Sequence, residues 1–305
     1  MEILQIEAIS KQFGQNKVIE NLTFSVKEGS IFGFIGQNGA GKTTTMKMIL
    51  GLLKIDSGEI KVCGEKVHYG QNQTNKHIGY LPDVPEFYNY LRPKEYLKLC
   101  GEITGIPKDI LNSKIAELLS LVGLERANKK IGGFSRGMKQ RLGIAQALLN
   151  EPRLLICDEP TSALDPIGRK EILEILQKVK GETTVIFSTH ILSDVERICD
   201  EIAVLHEGKI ALIGTLAELK LKHQQDGIAI EFASVKDKMK FLTCAQVLAF
   251  ASQIHETELG VKLITDHVST LQGHVFDCLM KENILSNKIE ILEPTIENLF
   301  MEAVQ

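Results

Sequence analysis

An α/β fold with a mixed, largely parallel sheet as its core is what this sequence predicts, carrying an antiparallel β subdomain and a helical insert and followed by a small α+β domain. Three observations carry the prediction. Short apolar runs at residues 30–35, 154–157 and 184–187 alternate with amphipathic helical stretches, which is the order of strands in a sheet covered on both faces. A glycine-rich loop, GQNGAGKTT at residues 36–44, joins the first of these runs to a helix. After about residue 222 the succession of strands and helices starts again.

Residues 1–35 read as strands and turns, because Ile3 and residues 5–9 and 22–26 alternate apolar with polar side chains, as in a half-exposed antiparallel sheet. Lys27, Glu28 and Gly29 form a turn before the buried strand SIFGFI at 30–35. Residues 44–53, TTMKMILGLL, are a helix with Met46, Ile49, Leu50 and Leu53 on one face. Residues 59–62 and 66–69 are two short strands around Gly64. A helical insert at about 84–150 is punctuated by Pro85, Pro93 and Pro107. Tyr96, Leu97 and Cys100, then Ile115, Leu118, Leu119 and Val122, recur in it at helical spacing, and residues 135–150 form its last helix.

The strand LLIC at 154–157 ends in Asp158-Glu159, a helix spans 171–179, and the strand at 184–187 ends in Ser188-Thr189-His190. Residues 202–205 and 209–213 make a hairpin through Glu207-Gly208. The charged stretch 220–226 is a linker, dividing a domain of residues 1–222 from one of residues 223–305. In the second domain we expect a strand at 228–232, a helix over 235–250, a strand at 261–265 and an amphipathic helix carrying Val268, Leu271, Val275 and Leu279. A strand at 288–292 and a helix at 295–303, with Pro294 at its start, complete it.

Composition narrows the function. With 305 residues, 44% hydrophobic and 24% charged, the chain is an ordinary globular protein of one large or two modest domains. A net charge of -4 and no basic arm give no reason to expect a nucleic-acid partner. The six cysteines, at 63, 100, 157, 199, 244 and 278, show neither metal-ligand pairs nor a redox dithiol, so the expectation is reduced, mostly buried thiols in a cytosolic protein. The opening MEILQIEAIS carries acids and no long apolar core, unlike a signal peptide, and no run of about eighteen apolar residues predicts a membrane span. If the protein works on a membrane, the expectation is that another chain supplies the span.

The chemistry starts with the glycine-rich loop. Gly36 and Gly41 are separated by four residues and followed by Lys42 and Thr43, the spacing of a phosphate-binding loop. Gly36, Gly39 and Gly41 let the backbone turn so that successive N–H groups face one set of phosphate oxygens, with the following helix N-terminus adding positive potential. Lys42 is placed to reach the terminal phosphates, and Thr43 to offer its hydroxyl to Mg2+. At the end of strand 154–157, Asp158 is placed to hold Mg2+ through its water shell and Glu159 to act as a general base. Two solvated loop acids look the same locally, and the phosphate loop upstream tips the balance toward chemistry. His190 lies just past the next strand, at the edge where ligands collect in parallel sheets, and a γ-phosphate contact is the better reading there than a structural histidine. Phe13 reads equally as an adenine-stacking ring or a core side chain. Ser135 is a natural N-cap to a helix carrying Arg136, Lys139 and Arg141. Capping happens whether or not that helix end faces a phosphate.

Taken together the motifs resemble those of the ATP-binding subunit of an ABC transporter. GQNGAGKTT is similar to its Walker A motif, LLICDEP to Walker B, FSRGMKQR to the signature and SALD at 162–165 to the D-loop; His190 stands at the switch histidine and Phe13 at the adenine-stacking aromatic. Order and separation of all six agree over roughly residues 1–220. The resemblance implies a P-loop NTPase cassette and a second cassette paired with it head to tail. It implies ATP and Mg2+ held by Phe13, Gly36, Gln37, Asn38, Gly39, Ala40, Gly41, Lys42, Thr43 and Thr44, together with Asp158. From the opposing cassette it implies Ser135 and Gly137, and Asp165 of the D-loop is a further implied nucleotide-binding residue. Glu159, His190 and Lys42 are the implied catalytic residues, and a membrane-spanning permease the implied partner, which would put the chain on the cytoplasmic face of the cell membrane. Two places depart from the family pattern. Arg136 and Met138 replace a glycine and a glutamine of the signature, and the loop IGYLPD ends in Asp83 where many cassettes carry Gln; Asp83 is expected at Mg2+ or its water. The tail EILEPTIENLF, at 290–300, is similar to the extension of export-type ATPases for antibiotics, lipids or ions, which implies export. The rival function is an ABC ATPase acting on ribosomes or DNA, but such chains resemble double cassettes or carry coiled-coil insertions.

Overall fold

Two twelve-residue strands, β1 (Glu2–Phe13) and β2 (Asn16–Lys27), run antiparallel from the start of the chain. The computed structural model describes residues 1–71, 73–222, 227–265, 267–292 and 296–304. They divide into two units, one of Met1–Leu216 with the residues from Ala303 onward, the other of Ala217–Glu302.

In the first unit β3 (Ile31–Ile35) is followed by α1 (Lys42–Ile49), then by β4 (Ser57–Val62) and β5 (Glu65–Lys66). An antiparallel sheet of order β2-β1-β4-β5 results. Its alternation follows the sequence: Leu4, Ile6, Ile9, Leu22, Phe24, Val26, Ile60 and Val62 are buried, with polar side chains between them. Phe24 stacks on Phe32 and on Phe34 of β3, both at 5.5 Å between centroids, so this sheet shares its core with the next. The helix α1 begins two residues earlier than expected, because Gly41 caps it in a left-handed conformation, and it stops at Ile49. Of the expected strand at 66–69 only the start joins the sheet: Lys66 pairs with Lys61 and Val67 N–H donates to Ile60 O at 2.9 Å, while Tyr69 is exposed.

β6 (Ile78–Leu81) leads into the helical segment α2 (Pro93–Ile103), α3 (Lys108–Leu121) and α4 (Arg136–Leu148). There follow β7 (Leu154–Asp158), α5 (Pro166–Val179), β8 (Thr184–Thr189), α6 (Leu192–Ile198), β9 (Glu201–His206), β10 (Lys209–Thr215) and α7 (Leu216–Lys222). The main sheet has the order β10-β9-β3-β8-β7-β6, parallel except for β10. β3, β7 and β8 are buried along their whole length, as strands covered on both faces must be, which accounts for their unbroken apolar runs. Adjacent parallel strands β3, β8 and β7 end at one edge, and every motif residue that follows a strand emerges there.

The second unit has a sheet of order β12-β13-β11-β14, made of β11 (Gly227–Phe232), β12 (Gln253–Glu256), β13 (Gly260–Ile264) and β14 (Ser286–Leu292). The helices α8 (Val235–Phe241), α9 (Ala245–Leu248) and α10 (Val268–Lys281) supply Phe241, Val247, Leu271 and Val275 to a core shared with Ile228, Ile230, Phe232, Val261 and Leu263. The last helix is α11 (Ile296–Val304). The continuous helix expected over 235–250 is broken between Phe241 and Ala245. The break turns Cys244 onto α10, where it forms a disulfide with Cys278, correcting the expectation of six reduced thiols. β12 has no counterpart among the strands expected from sequence: its side chains are all exposed, so no alternation marks it. Residues 223–226 of the expected linker, and Pro294 and Thr295 at the start of the last helix, lie outside the described residues. No helix among the described residues is long and apolar enough to cross a membrane.

Burial pushes the thiols of Cys157 and Cys199 well above the ordinary range, and those of half-buried Cys63 and Cys100 in the same direction. Since the thiolate is the reactive form, iodoacetamide at neutral pH should label Cys157 and Cys199 only after unfolding. Denatured without reductant, the chain should show four thiols, rising to six after reduction; six thiols without reductant would disprove the bridge.

Candidate functional site

The loop after β3 folds back over the start of α1. Gly39 and Gly41 have φ of 86° and 110°, a region L side chains rarely enter. At Gly41 a Cβ would also stand 2.5 Å from Ile19 Cδ1. The loop is closed by Ala40 N–H donating to Gln37 O (3.1 Å), while Thr45 Oγ1 donates to Gly41 O (3.0 Å). Lys42 is buried and donates Nζ to the carbonyls of Gly36 (2.7 Å) and Gln37 (3.3 Å).

Thr43 Oγ1 donates to Asp158 Oδ2 at 2.8 Å, bringing the two residues expected at the metal into direct contact. The other Asp158 oxygen accepts from Ser188 Oγ at 2.7 Å, and Ser188 Oγ in turn accepts from Glu159 N–H at 3.0 Å. Glu159 has φ of 49°, a left-handed turn that costs a non-glycine residue about 1–2 kcal/mol. The turn parts the two neighbouring acids. Asp158 faces Thr43, and Glu159 faces Lys42 and His190.

Glu159 Oε2 lies 3.0 Å from His190 Nδ1. Its Oε1 lies 3.2 Å from Lys42 Nζ but out of line for a hydrogen bond, which leaves a buried acceptor with unused capacity. A buried carboxylate oxygen with an open lone pair, beside a cation and a histidine, is suited to taking a proton from water. Behind it, Asp194 accepts from Thr161 Oγ1 (2.7 Å) and from Arg169 Nη2 (2.6 Å). This buried node ties the turn after Glu159 to α5 and α6.

The remaining expected residues fall elsewhere. Ser135 caps α4, its Oγ accepting from Met138 N–H at 3.3 Å. Asp165 caps α5, accepting from Gly168 N–H at 2.8 Å. Ser135, Gly137 and Asp165 line a concavity of about 290 Å3 that no residue of the phosphate loop borders. Phe13 is 48% exposed, which removes the core alternative; Lys11 Nζ lies 5.3 Å from its ring centroid. The structure does not bring Asp83 to Thr43 and Asp158. Its carboxylate accepts from Arg136 Nη2 at 3.0 Å, and its carbonyl from Gln140 Nε2 at 2.6 Å. Sequence reasoning missed the roles of Ser188, Gln140 and Asp194. Ser188 was legible only as a neighbour of His190, and the other two act across elements far apart in sequence.

Thr43 and Asp158 present a hydroxyl and a carboxylate oxygen in contact at the loop's end, a hard oxygen donor set that fits Mg2+. The main chain of the loop and Lys42 supply the cationic side of a phosphate site.

The ABC transporter family model matches residues 19–162. The chain is 44% identical over 239 residues to an uncharacterized ABC transporter ATP-binding protein, YxlF of Bacillus subtilis, covering 78% of each. It is 37% identical over 310 residues to the bacitracin transport ATP-binding protein BcrA of Bacillus licheniformis, covering 99% of this chain and 97% of that one. Among solved structures, an ATP-binding subunit of an ABC transporter superposes with a TM-score of 0.65 at 34% identity, over 72% of this chain and 92% of that chain.

Ser188 is fully buried and serves both acids. Replacing it with Ala leaves a carboxylate oxygen and an N–H unpaired, costing about 1–3 kcal/mol of stability. Ser188→Ala should also lower ATP turnover about ten- to hundredfold with nucleotide still bound. Thermal unfolding and steady-state ATPase assays check both; unchanged turnover would show that Ser188 does not position the acids.

Proposed function

The chain belongs to the ABC transporter ATP-binding proteins, and from that premise we propose that it is the ATP-hydrolysing motor of a transporter whose membrane-spanning permease is a separate chain. The observation that carries this reading is the convergence of Lys42, Thr43, Asp158, Glu159 and His190 at one sheet edge, with Ser135 and Gly137 in a different concavity. Two half-sites on one chain are what a pair of cassettes needs, each contributing one half to a shared nucleotide. The division into a motor of residues 1–222 and an appendage of residues 223–305 belongs to the same reading.

ATP is the substrate, and its phosphates draw Lys42 away from the carbonyls of Gly36 and Gln37. Glu159, no longer held by Lys42, takes a proton from the attacking water, and His190 steadies the γ-phosphate. Thr43 and Asp158 would hold Mg2+, which when bound would supply neutralisation of the phosphate charge. Phe13, an exposed ring in the first unit, is suited to stack on adenine. Ser135, Gly137 and Asp165 serve the nucleotide of the opposing cassette, identical or paralogous.

The chain works on the cytoplasmic face of the membrane, tethered through the permease. We place its direction as export, of a drug, antibiotic, lipid or ion. The full-length likeness to a bacitracin transport protein supports an antibiotic among these and extends through residues 223–305. The dock for the permease is the loop after β6. There Phe87 packs edge-on against Tyr96 at 5.1 Å, while Tyr88 and Tyr90 stand 54% and 65% exposed, 5.9 Å apart. Exposed aromatics grouped this way are a usual anchor of protein interfaces.

Glu159→Gln should keep ATP binding, lower turnover by about a hundredfold or more, and yield a dimer in ATP by sedimentation. Turnover at the parent rate would remove the general-base role. Tyr88→Glu with Tyr90→Glu should leave basal ATPase intact but abolish co-purification of a polytopic membrane protein. Retained co-purification, or recovery of ribosomes instead, would contradict the proposed dock.

A further inference from the structure

Arg136 occupies a place where a helix least favours a cation. It is the first residue of α4, beside N–H groups that have no partner within the helix. An anion answers the charge: Arg136 Nη2 donates to Asp83 Oδ1 at 3.0 Å. Arg136 also lines the concavity formed with Ser135, Gly137 and Asp165. The other arginine there, Arg141, is committed elsewhere. Its Nη1 donates to the carbonyls of Val122 (3.2 Å) and Gly123 (3.4 Å), and its Nε lies 3.7 Å from Glu171. Arg136 and Asp83 are instead 41% and 46% exposed, so their pair is weak and readily exchanged. Asp83's main chain is held independently by the buried Gln140, so freeing the carboxylate does not free the loop.

We propose that Asp83 and Arg136 form an exchangeable latch. In the separated subunit the Asp83 carboxylate neutralises Arg136. When two cassettes pair, Arg136 leaves Asp83 for the phosphate oxygens of the nucleotide carried by the opposing cassette. The inference rests on the paired-cassette reading and assigns a role to two of the three residues that depart from the family pattern. The exchange swaps one carboxylate for a triphosphate at the same guanidinium, and the planar fork suits both acceptors. Arg136 is therefore a binding residue for the opposing nucleotide, and Asp83 a positioning residue that sets how much ATP is needed to close the pair.

The test is made in the Glu159→Gln chain. Sedimentation velocity gives the ATP concentration at half-dimerisation, and a fluorescent ATP analogue gives the affinity of the separated subunit. Adding Arg136→Ala should raise the half-point about tenfold with the separated subunit's affinity unchanged, and Arg136→Lys should recover part of that loss. Adding Asp83→Asn should lower the half-point about two- to fivefold, measured relative to that variant's own affinity. The latch is overturned if the Ala and Asn substitutions move the half-point in the same direction, as loss of a merely structural pair would, or do not move it. A Glu159→Gln chain that stays monomeric in ATP overturns the paired-cassette reading, and the latch with it.

Discussion

The hydrogen-bonded register of β3, β8 and β7 is the constraint on which the site depends. Ile35 pairs with Thr189, and Asp158 pairs with Ser188. The residues that follow, Gly36, Glu159 and His190, therefore leave the sheet at one level and on neighbouring strands. Parallel pairing is what makes this possible, because it puts the carboxyl ends of all three strands at the same edge. The buried apolar runs hold the register: a slip of one residue would exchange the two covered faces of each strand.

Upon that edge the protein places groups that satisfy one another. Buried Lys42 rests on two carbonyls and faces Glu159, Thr43 rests on Asp158, and His190 rests on Glu159. A buried ammonium left alone would be very costly. The carbonyls and the carboxylate that face Lys42 are partners that phosphate oxygens can replace, since both accept as phosphate oxygens do. The left-handed turn at Glu159 is local strain held by Ser188 below it and by the Thr161, Asp194 and Arg169 node behind it. Without those supports the two acids would relax toward an ordinary turn and lose their separate directions.

The strands and helices that could be read from sequence were those with a strong period or a pure apolar run. The strands at 30–35 and 154–157 and the amphipathic helix carrying Val268 and Leu271 emerge close to where their patterns put them. Weak or absent periodicity hid others. β12 exposes every side chain, and the helix over 235–250 breaks between Phe241 and Ala245, with Phe241 of α8 and Val247 of α9 both entering one core. Cys244 and Cys278 are 34 residues apart, and no spacing rule joins them. Phe13 has no sequence signal for its environment, because a ring before a glycine looks the same in a core and at a surface; the fold leaves it exposed.

By itself the sequence determined which chemistry is present: a phosphate loop with its lysine and threonine, two acids after an apolar strand, a histidine after the next, and a capped helix carrying an arginine. These are local facts, set by backbone freedom at glycine, by the period of apolar residues and by the donor and acceptor groups of each side chain. Only the tertiary structure decided which of these groups meet. It brought Thr43 to Asp158 and Glu159 to both Lys42 and His190, gave Ser188 to both acids, and turned Asp83 to Arg136. Contacts between residues many positions apart follow from sheet order and helix packing, which depend on how the whole core fills space and leave no trace in the spacing of any one motif.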